Sequence, residues 1–305
     1  MTISPYLKTI GRGKQGARDL SRKQAADLMG RVLDGQVSDL EVGAFCIAMR
    51  VKGETPQEMA GFLDACQNRI TPIPTANGVR TVVLPSYNGS RKLPLLTPLL
   101  ALLLAQKGFA VLVHGAKTEA SRVTTPELLT ALGHATSSQV SEPLQAGKVR
   151  YVPLDGLSAG LQKLLMARKL IGLRNSGHSL VKLLAPVTGP SLLVSSYTHP
   201  EYLHSMTQTL LLTGQDCLLL RGTEGEAVAD PRRMPRMDVV IKGEVQTLQE
   251  AQAGSLLTLP DLPDDAGPAT VARYTQDVLA GTRPLPAPMA RQIELVTHWS
   301  QHANS

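Results

Sequence analysis

Apolar positions in the first seventy residues recur at three- and four-residue intervals. Phe45, Met49, Met59, Phe62 and Leu63 fit one face of a helix or its neighbour. Polar punctuation divides this stretch. Ser21 caps a helix through Leu33, with Gly35 just past its end. Ser38 stands three residues before Glu41, a capping box for a helix to about Val51 that stops near Gly53. Thr55 and Pro56 supply an N-cap and a first-turn proline, and Glu58 completes a second box. That helix is expected to reach about Asn68. The stripe predicts a small helical core, and a helical dimer surface is its alternative use.

A Pro/Thr/Asn-rich linker, Ile70 to Gly78, ends this pattern. Short apolar runs then alternate with helical segments. Strands are expected at Thr81–Leu84, Phe109–His114, Val149–Pro153, Ser191–Ser196, Cys217–Leu220 and Val239–Lys242. Helices are expected from Thr97 to Lys107, from Thr125 to Gly133, and from His199 to Leu212. A basic helical stretch runs from about Gly160 to Leu184. The last forty residues read as helical, after an acidic, Pro-rich lead-in from Leu259 to Pro268. Strands alternating with helices predict a mainly parallel sheet with helices on its faces. The fold class is therefore α/β: a small helical domain over residues 1–75, then a larger α/β domain over 76–305.

Composition narrows the class. The chain has 305 residues, 43% hydrophobic and 18% charged, which is globular rather than disordered. Cys46, Cys66 and Cys217 lie far apart in apolar surroundings, as buried free thiols do, with neither zinc spacing nor a disulfide framework. Met1 to Arg12 lacks a signal-peptide core, and the apolar run Leu93–Ala105 is too short and too broken to span a bilayer. A cytoplasmic protein without membrane partners is expected.

Charge is polarised along the chain. Residues 1–190 carry 23 Lys and Arg against 12 Asp and Glu, whereas residues 191–305 carry 8 against 13. The positive part is interleaved with apolar, folding sequence, and such a face concentrates polyanions, nucleic acid first among them. Aromatic residues make up only 3%. Base stacking has few platforms, so binding would lean on phosphates, with Tyr87 and Tyr151 as the remaining stacking candidates.

Four segments, in order, carry a family resemblance. They are Pro85-Ser86-Tyr87-Asn88-Gly89, Val113-His114-Gly115-Ala116, Gly172-Leu173-Arg174-Asn175 with Leu184-Ala185-Pro186, and Gly222-Thr223-Glu224-Gly225-Glu226. Together they resemble the anthranilate phosphoribosyltransferase-like proteins. The resemblance implies a phosphoribosyltransferase/nucleoside phosphorylase-like fold. In the family's enzymes the first of these loops is Gly-Thr-Gly-Gly-Asp and closes around the pyrophosphate of phosphoribosyl pyrophosphate. Here Pro85, Ser86, Tyr87, Asn88, Gly89 and Ser90 form a degenerate version in which only Gly89 remains. The enzymes' Lys-His-Gly-Asn is replaced around His114 and Gly115. Their paired magnesium carboxylates become Ala227 and Val228, which cannot ligate a hard cation. Glu224 or Glu226 could substitute at a different spacing. Arg174 stands where the enzymes hold the anthranilate carboxylate, with a structural arginine as the equal alternative. His114 reads as a packed strand-end histidine. No catalytic residue and no metal site is assigned.

Cations have accumulated where the phosphate loop is lost. Arg91 and Lys92 lie in the altered loop, and Lys117 and Arg122 follow the second strand. Lys163, Arg168, Lys169, Arg174 and Lys182 punctuate the basic stretch. Arg12, Lys14 and Arg18 sit among glycines near the start, as a flexible anion arm. The whole set most closely resembles the family's nucleic-acid-binding branch. That resemblance implies a homodimer through the helical domain, joined by part of 160–185, and a basic groove holding DNA or RNA without sequence specificity. No cofactor is expected. The alternative is a phosphoribosyl- or glycosyl-transferase of altered specificity, a pentosyltransferase that would use magnesium.

Overall fold

The computed structural model describes residues 2–134, 140–255 and 260–302. The chain opens with two short helices, α1 (Ser4–Ile10) and α2 (Gly13–Gly16), followed by α3 (Arg22–Leu33), α4 (Asp39–Lys52) and α5 (Pro56–Gln67). The caps of the three longer helices form as the sequence predicts. Ser21, Ser38 and Thr55 each accept from the backbone N–H three residues on, and Gln24, Glu41 and Glu58 return the bond. Helices α3 and α5 pack closely: a Cβ on Gly61 would sit 2.2 Å from the Arg22 carbonyl oxygen.

The α/β part carries β1 (Thr81–Ser86), α6 (Thr97–Gln106), β2 (Ala110–Gly115), α7 (Thr125–Ala131) and β3 (Val149–Pro153). Then come α8 (Leu154–Leu157), α9 (Ala159–Ile171), α10 (Gly177–Leu180), β4 (Ser191–Tyr197), α11 (Glu201–Thr213) and β5 (Cys217–Arg221). The antiparallel β6 (Met237–Ile241) and β7 (Glu244–Gln249) and the helices α12 (Pro268–Leu279) and α13 (Ala287–His302) complete it. The strand order is β3-β2-β1-β4-β5-β6-β7, parallel from β3 through β5.

Successive strand residues feed opposite cores. Val83, Leu112, Leu193 and Leu219 face the helical bundle, α9 and α11, while Val82, Val111, Leu192 and Leu218 face α6, α7, α12 and α13. Both faces are covered, which explains why these strands are apolar throughout. The bundle has no core of its own apart from the sheet. Phe45, Phe62 and Leu28 belong to the same cluster as Val83 and Leu193. Helix α9 lies against α3 and α4, where a Cβ on Gly160 would collide with the Leu33 carbonyl oxygen at 2.1 Å. The three cysteines are free and buried.

Several expectations are corrected. The basic stretch is not one helix: α9 ends at Gly172, which adopts φ 76°, and irregular chain leads to α10. The segment 199–212 starts its helix at Glu201, after Pro200. The strand expected at Val239–Lys242 begins at Met237, and Lys242 turns the chain at φ 49°. Strand β7 follows that turn and was not expected; it is the polar edge of the sheet. The linker is stitched to the α/β part by bridges from Ile73 to Val187 and from Thr75 to Leu144. Leu259 lies outside the described residues. No helix among the described residues is long and apolar enough to cross a membrane.

Candidate functional site

The loop leaving β1 meets the turn leaving β5 at the C-terminal end of the sheet, and the two are joined by carboxylates. Glu226 is buried at 2% exposure. Its Oε1 accepts from the backbone N–H groups of Asn88 (2.9 Å) and Gly89 (2.8 Å). Its Oε2 accepts from the hydroxyls of Ser86 (2.6 Å) and Thr97 (2.9 Å). Glu224 sits at the outlet. Its carboxylate accepts from the backbone N–H groups of Arg91 (3.0 Å), Lys92 (2.8 Å) and Leu93 (2.9 Å), and from Arg122 Nη1 (3.2 Å). Burial raises the pKa of Glu224, but the three N–H groups and Arg122 outweigh it and leave the carboxyl below its ordinary value.

The turn is shaped for this. Glu224 adopts φ 49°, which for a residue with a Cβ costs about 1 kcal/mol. Gly225 follows at φ 89°, where a Cβ would overlap Asn88 Nδ2. Asn88 Nδ2 donates to the Glu224 carbonyl and Ser196 Oγ to the Gly225 carbonyl, at 3.1 and 2.9 Å. The one N–H of the loop that does not reach a carboxylate, that of Ser90, pairs with Val123 O.

Tyr87 fills the space behind the loop. Its hydroxyl donates to His114 Nδ1 (2.7 Å), and His114 Nε2–H donates to Leu184 O (3.0 Å), which fixes a neutral ring. Burial lowers the pKa of His114 to about 4. A Cβ on Gly115 would clash with Ser86 O at 2.0 Å. Tyr87 and Tyr151 are both buried, so neither offers a face for base stacking.

Ala227 and Val228 are buried and apolar, and every carboxylate oxygen of Glu224 and Glu226 already accepts from the loop or Arg122. Among the described residues no group of three His, Cys, Asp or Glu could hold a metal ion. These residues do not fit the magnesium that the enzymes' carboxylate pair implies.

Beside the loop lies a cluster of arginines. Glu119 accepts from Arg122 Nε and from Arg168 Nη2, the latter at 2.9 Å. Arg168 Nη1 is buried without a partner. The guanidinium of Arg174 makes no hydrogen bond or ion pair among the described residues. Burial, then Arg168, Arg122 and Arg50, act to hold its pKa below the ordinary arginine value. Arg50, from the end of α4, donates to the Arg174 carbonyl (3.3 Å). Arg91, Lys92 and Lys169 are exposed, and their side chains make no ion pair among the described residues.

The other predicted cations are placed differently. Lys117 pairs with Glu127 and Lys163 with Asp39. Lys182 is half-buried and donates to Ser196 O, and burial lowers its pKa to about 8. Arg12 and Arg18 bond to nearby backbone carbonyls, and the glycine-rich arm is the short helix α2, packed on α4. The side chain of Lys14 lies outside the described residues. Sequence reasoning missed Arg50 and Glu119. Glu119 could have been noticed as the acid three residues before Arg122. Arg50 carries no local signal.

A cavity of about 560 Å³ opens between the bundle and the α/β part, lined by Arg50, Arg174, His178, Lys182, Tyr197 and His199. Burial lowers the pKa of His178 to about 4, and its Nε2 has no partner.

Comparison with known proteins fits this geometry. Residues 4–70 match the helical bundle domain of the glycosyl transferase family. The chain is 39% identical over 300 residues to the uncharacterized protein YbiB of Escherichia coli, covering 96% of this chain and 92% of that one. It is 27% identical over 290 residues to anthranilate phosphoribosyltransferase of Colwellia psychrerythraea, covering 93% and 74%. In fold it superimposes on anthranilate phosphoribosyltransferase from Thermus thermophilus with a TM-score of 0.68, at 23% identity over 92% of this chain and 84% of the other. It matches the Saccharomyces cerevisiae enzyme in complex with PRPP and Mg with a TM-score of 0.71, at 17% identity over 98% and 88%. The bundle, the sheet order and the two loops that meet at its C-terminal end thus place this chain in the anthranilate phosphoribosyltransferase-like family.

Proposed function

We propose that this protein binds DNA or RNA without sequence specificity and does not transfer phosphoribosyl groups. The observation that carries this reading is the arginine cluster. Four guanidiniums, Arg50, Arg122, Arg168 and Arg174, act on one another, and Arg91, Lys92 and Lys169 are exposed on the neighbouring loop and on α9. Among the described residues their ion pairs are with Glu119 and Glu224, and Glu54 and Glu201 line the cavity shared by Arg50 and Arg174. Such a set attracts a phosphate backbone and reads no base edge. The loop beside it has its N–H groups already engaged, which supports the absence of a diphosphate substrate.

The reading includes a homodimer. Leu40, Ile47 and Val51 form an exposed stripe on α4, and Leu170 and Leu173 lie exposed at the end of the adjoining α9. A second copy of this chain is the occupant that would cover the stripe. Sedimentation of the Ile47→Glu, Leu170→Glu double variant should yield monomer where the parent yields dimer.

The decisive test is a titration of labelled single- and double-stranded oligonucleotides at 50 and 200 mM salt. A site covering roughly six phosphates loses on the order of a thousandfold in affinity over that range. Affinity that ignores salt, or no binding at 50 mM, would overturn the proposal. Calorimetry with phosphoribosyl pyrophosphate and magnesium tests the transferase alternative, for which micromolar binding is required.

A further inference from the structure

The loop 88–93 has the makings of an anion site. Backbone N–H groups of five residues, Asn88, Gly89, Arg91, Lys92 and Leu93, converge on two carboxylates, helped by two hydroxyls and one guanidinium. A converging set of N–H groups in irregular chain is the geometry that holds phosphate oxygens. Here the acceptors come from the same polypeptide, more than 130 residues away in sequence. The turn that delivers them accepts a left-handed Glu224 to do so.

We propose that Glu224 and Glu226 are a built-in ligand: the nest is a phosphate-type site occupied in cis, and Glu224 is the stopper that keeps free anions out. Glu226 lies inside and holds the loop together. Glu224 lies at the rim, with its side chain 16% exposed beside exposed Arg91 and Lys92. Removing the Glu224 carboxylate frees three consecutive N–H groups on the solvent side and one contact of Arg122 Nη1, while Arg122 stays paired with Glu119 and Glu226 still anchors the loop. The nest would then take a phosphate group from solution. This holds whether or not the arginine cluster binds nucleic acid.

The experiment is calorimetric titration of inorganic pyrophosphate, without metal, into the full chain and into Glu224→Ala and Glu224→Gln. The parent should bind no pyrophosphate at millimolar concentration. Glu224→Ala should bind it at least about tenfold below that millimolar limit, and Glu224→Gln should fall between them, because one amide oxygen still accepts. Equal binding by parent and Glu224→Ala would overturn the proposal, as would a folded Glu224→Ala that binds no pyrophosphate. A parallel titration with a labelled oligonucleotide separates the two phosphate sources. A gain for the oligonucleotide alone would reduce Glu224 to one surface charge among many and would also overturn it. Should both variants fail to fold, amide hydrogen exchange on the parent decides. Arg91, Lys92 and Leu93 should be protected and unmoved by pyrophosphate; rapid exchange there, or a shift on adding pyrophosphate, refutes the stopper.

Discussion

Two regions at one end of the sheet handle negative charge in opposite ways. In the loop after β1, neutral N–H groups are matched by internal carboxylates. In the rim formed by α4, α9 and the segment after β2, guanidiniums outnumber the acids they pair with, and Arg168 Nη1 and the head of Arg174 go unpaired among the described residues. The first region is satisfied internally; the second is in positive excess, with part of that excess buried. A partner is selected by what a surface leaves unsatisfied. A family resemblance centred on the loop is therefore silent about the half of the site that carries the unpaired charge.

The strongest way to break this contrast is Glu226→Ala. It strips the partners from two backbone N–H groups and two hydroxyls in a buried setting. At about 1–3 kcal/mol for each orphaned group, partly relaxed, the loss should be about 4 kcal/mol, read from urea denaturation. A loss under about 1 kcal/mol would mean that the nest holds without its acid.

Next in size is a pH effect behind the loop. His114 has a folded pKa of about 4, below its ordinary 6.5. Between these values the unfolded chain binds more protons, so stability is full above pH 6.5 and is lost as pH falls toward 4. His114 alone should remove about 2 kcal/mol between pH 7 and pH 5. His178 shifts in the same direction. Denaturation midpoints at the two pH values check this, and a flat profile would place His114 in contact with water.

On the other side of the contrast, Arg91→Glu with Lys92→Glu and Lys169→Glu should weaken oligonucleotide binding by tenfold or more for every sequence alike and flatten the salt dependence. Loss confined to certain sequences would mean base readout. The smallest expected effect is a gain. Glu119→Gln removes the acid shared by Arg122 and Arg168 and should tighten binding a fewfold at low salt, fading at high salt.

The sequence made most of the scaffold readable for local reasons. Ser21, Ser38 and Thr55 sit three residues from their reciprocal partners, so the helix starts are written in single short words. Continuous apolar runs such as Thr81–Leu84 declared strands covered on both faces. The end of α9 was harder, because Gly172 lies inside a basic, apolar-spaced stretch that continues the helical pattern beyond it. Strand β7 hid because an edge strand needs few apolar residues. The loss of the enzymes' glycines around Gly89 was legible. What replaced them was not: Glu226 reaches Asn88 across 138 positions, and nothing near either residue signals the other. Cation positions were legible as composition only. Lys182 turned inward and Lys117 and Lys163 found partners, because neighbours distant in sequence decide which charges stay free.

Gly160 has a consequence for how this surface can change. Because it lacks a side chain, α9 rests directly on the backbone at Leu33. The footing of the helix that carries Arg168 is thus fixed by main chain, not by the charges it displays. Exposed Lys163 and Lys169 on α9 can be exchanged or reversed without disturbing that contact. A methyl group at that one contact would instead push the whole helix, and Arg168 with it, away from the bundle.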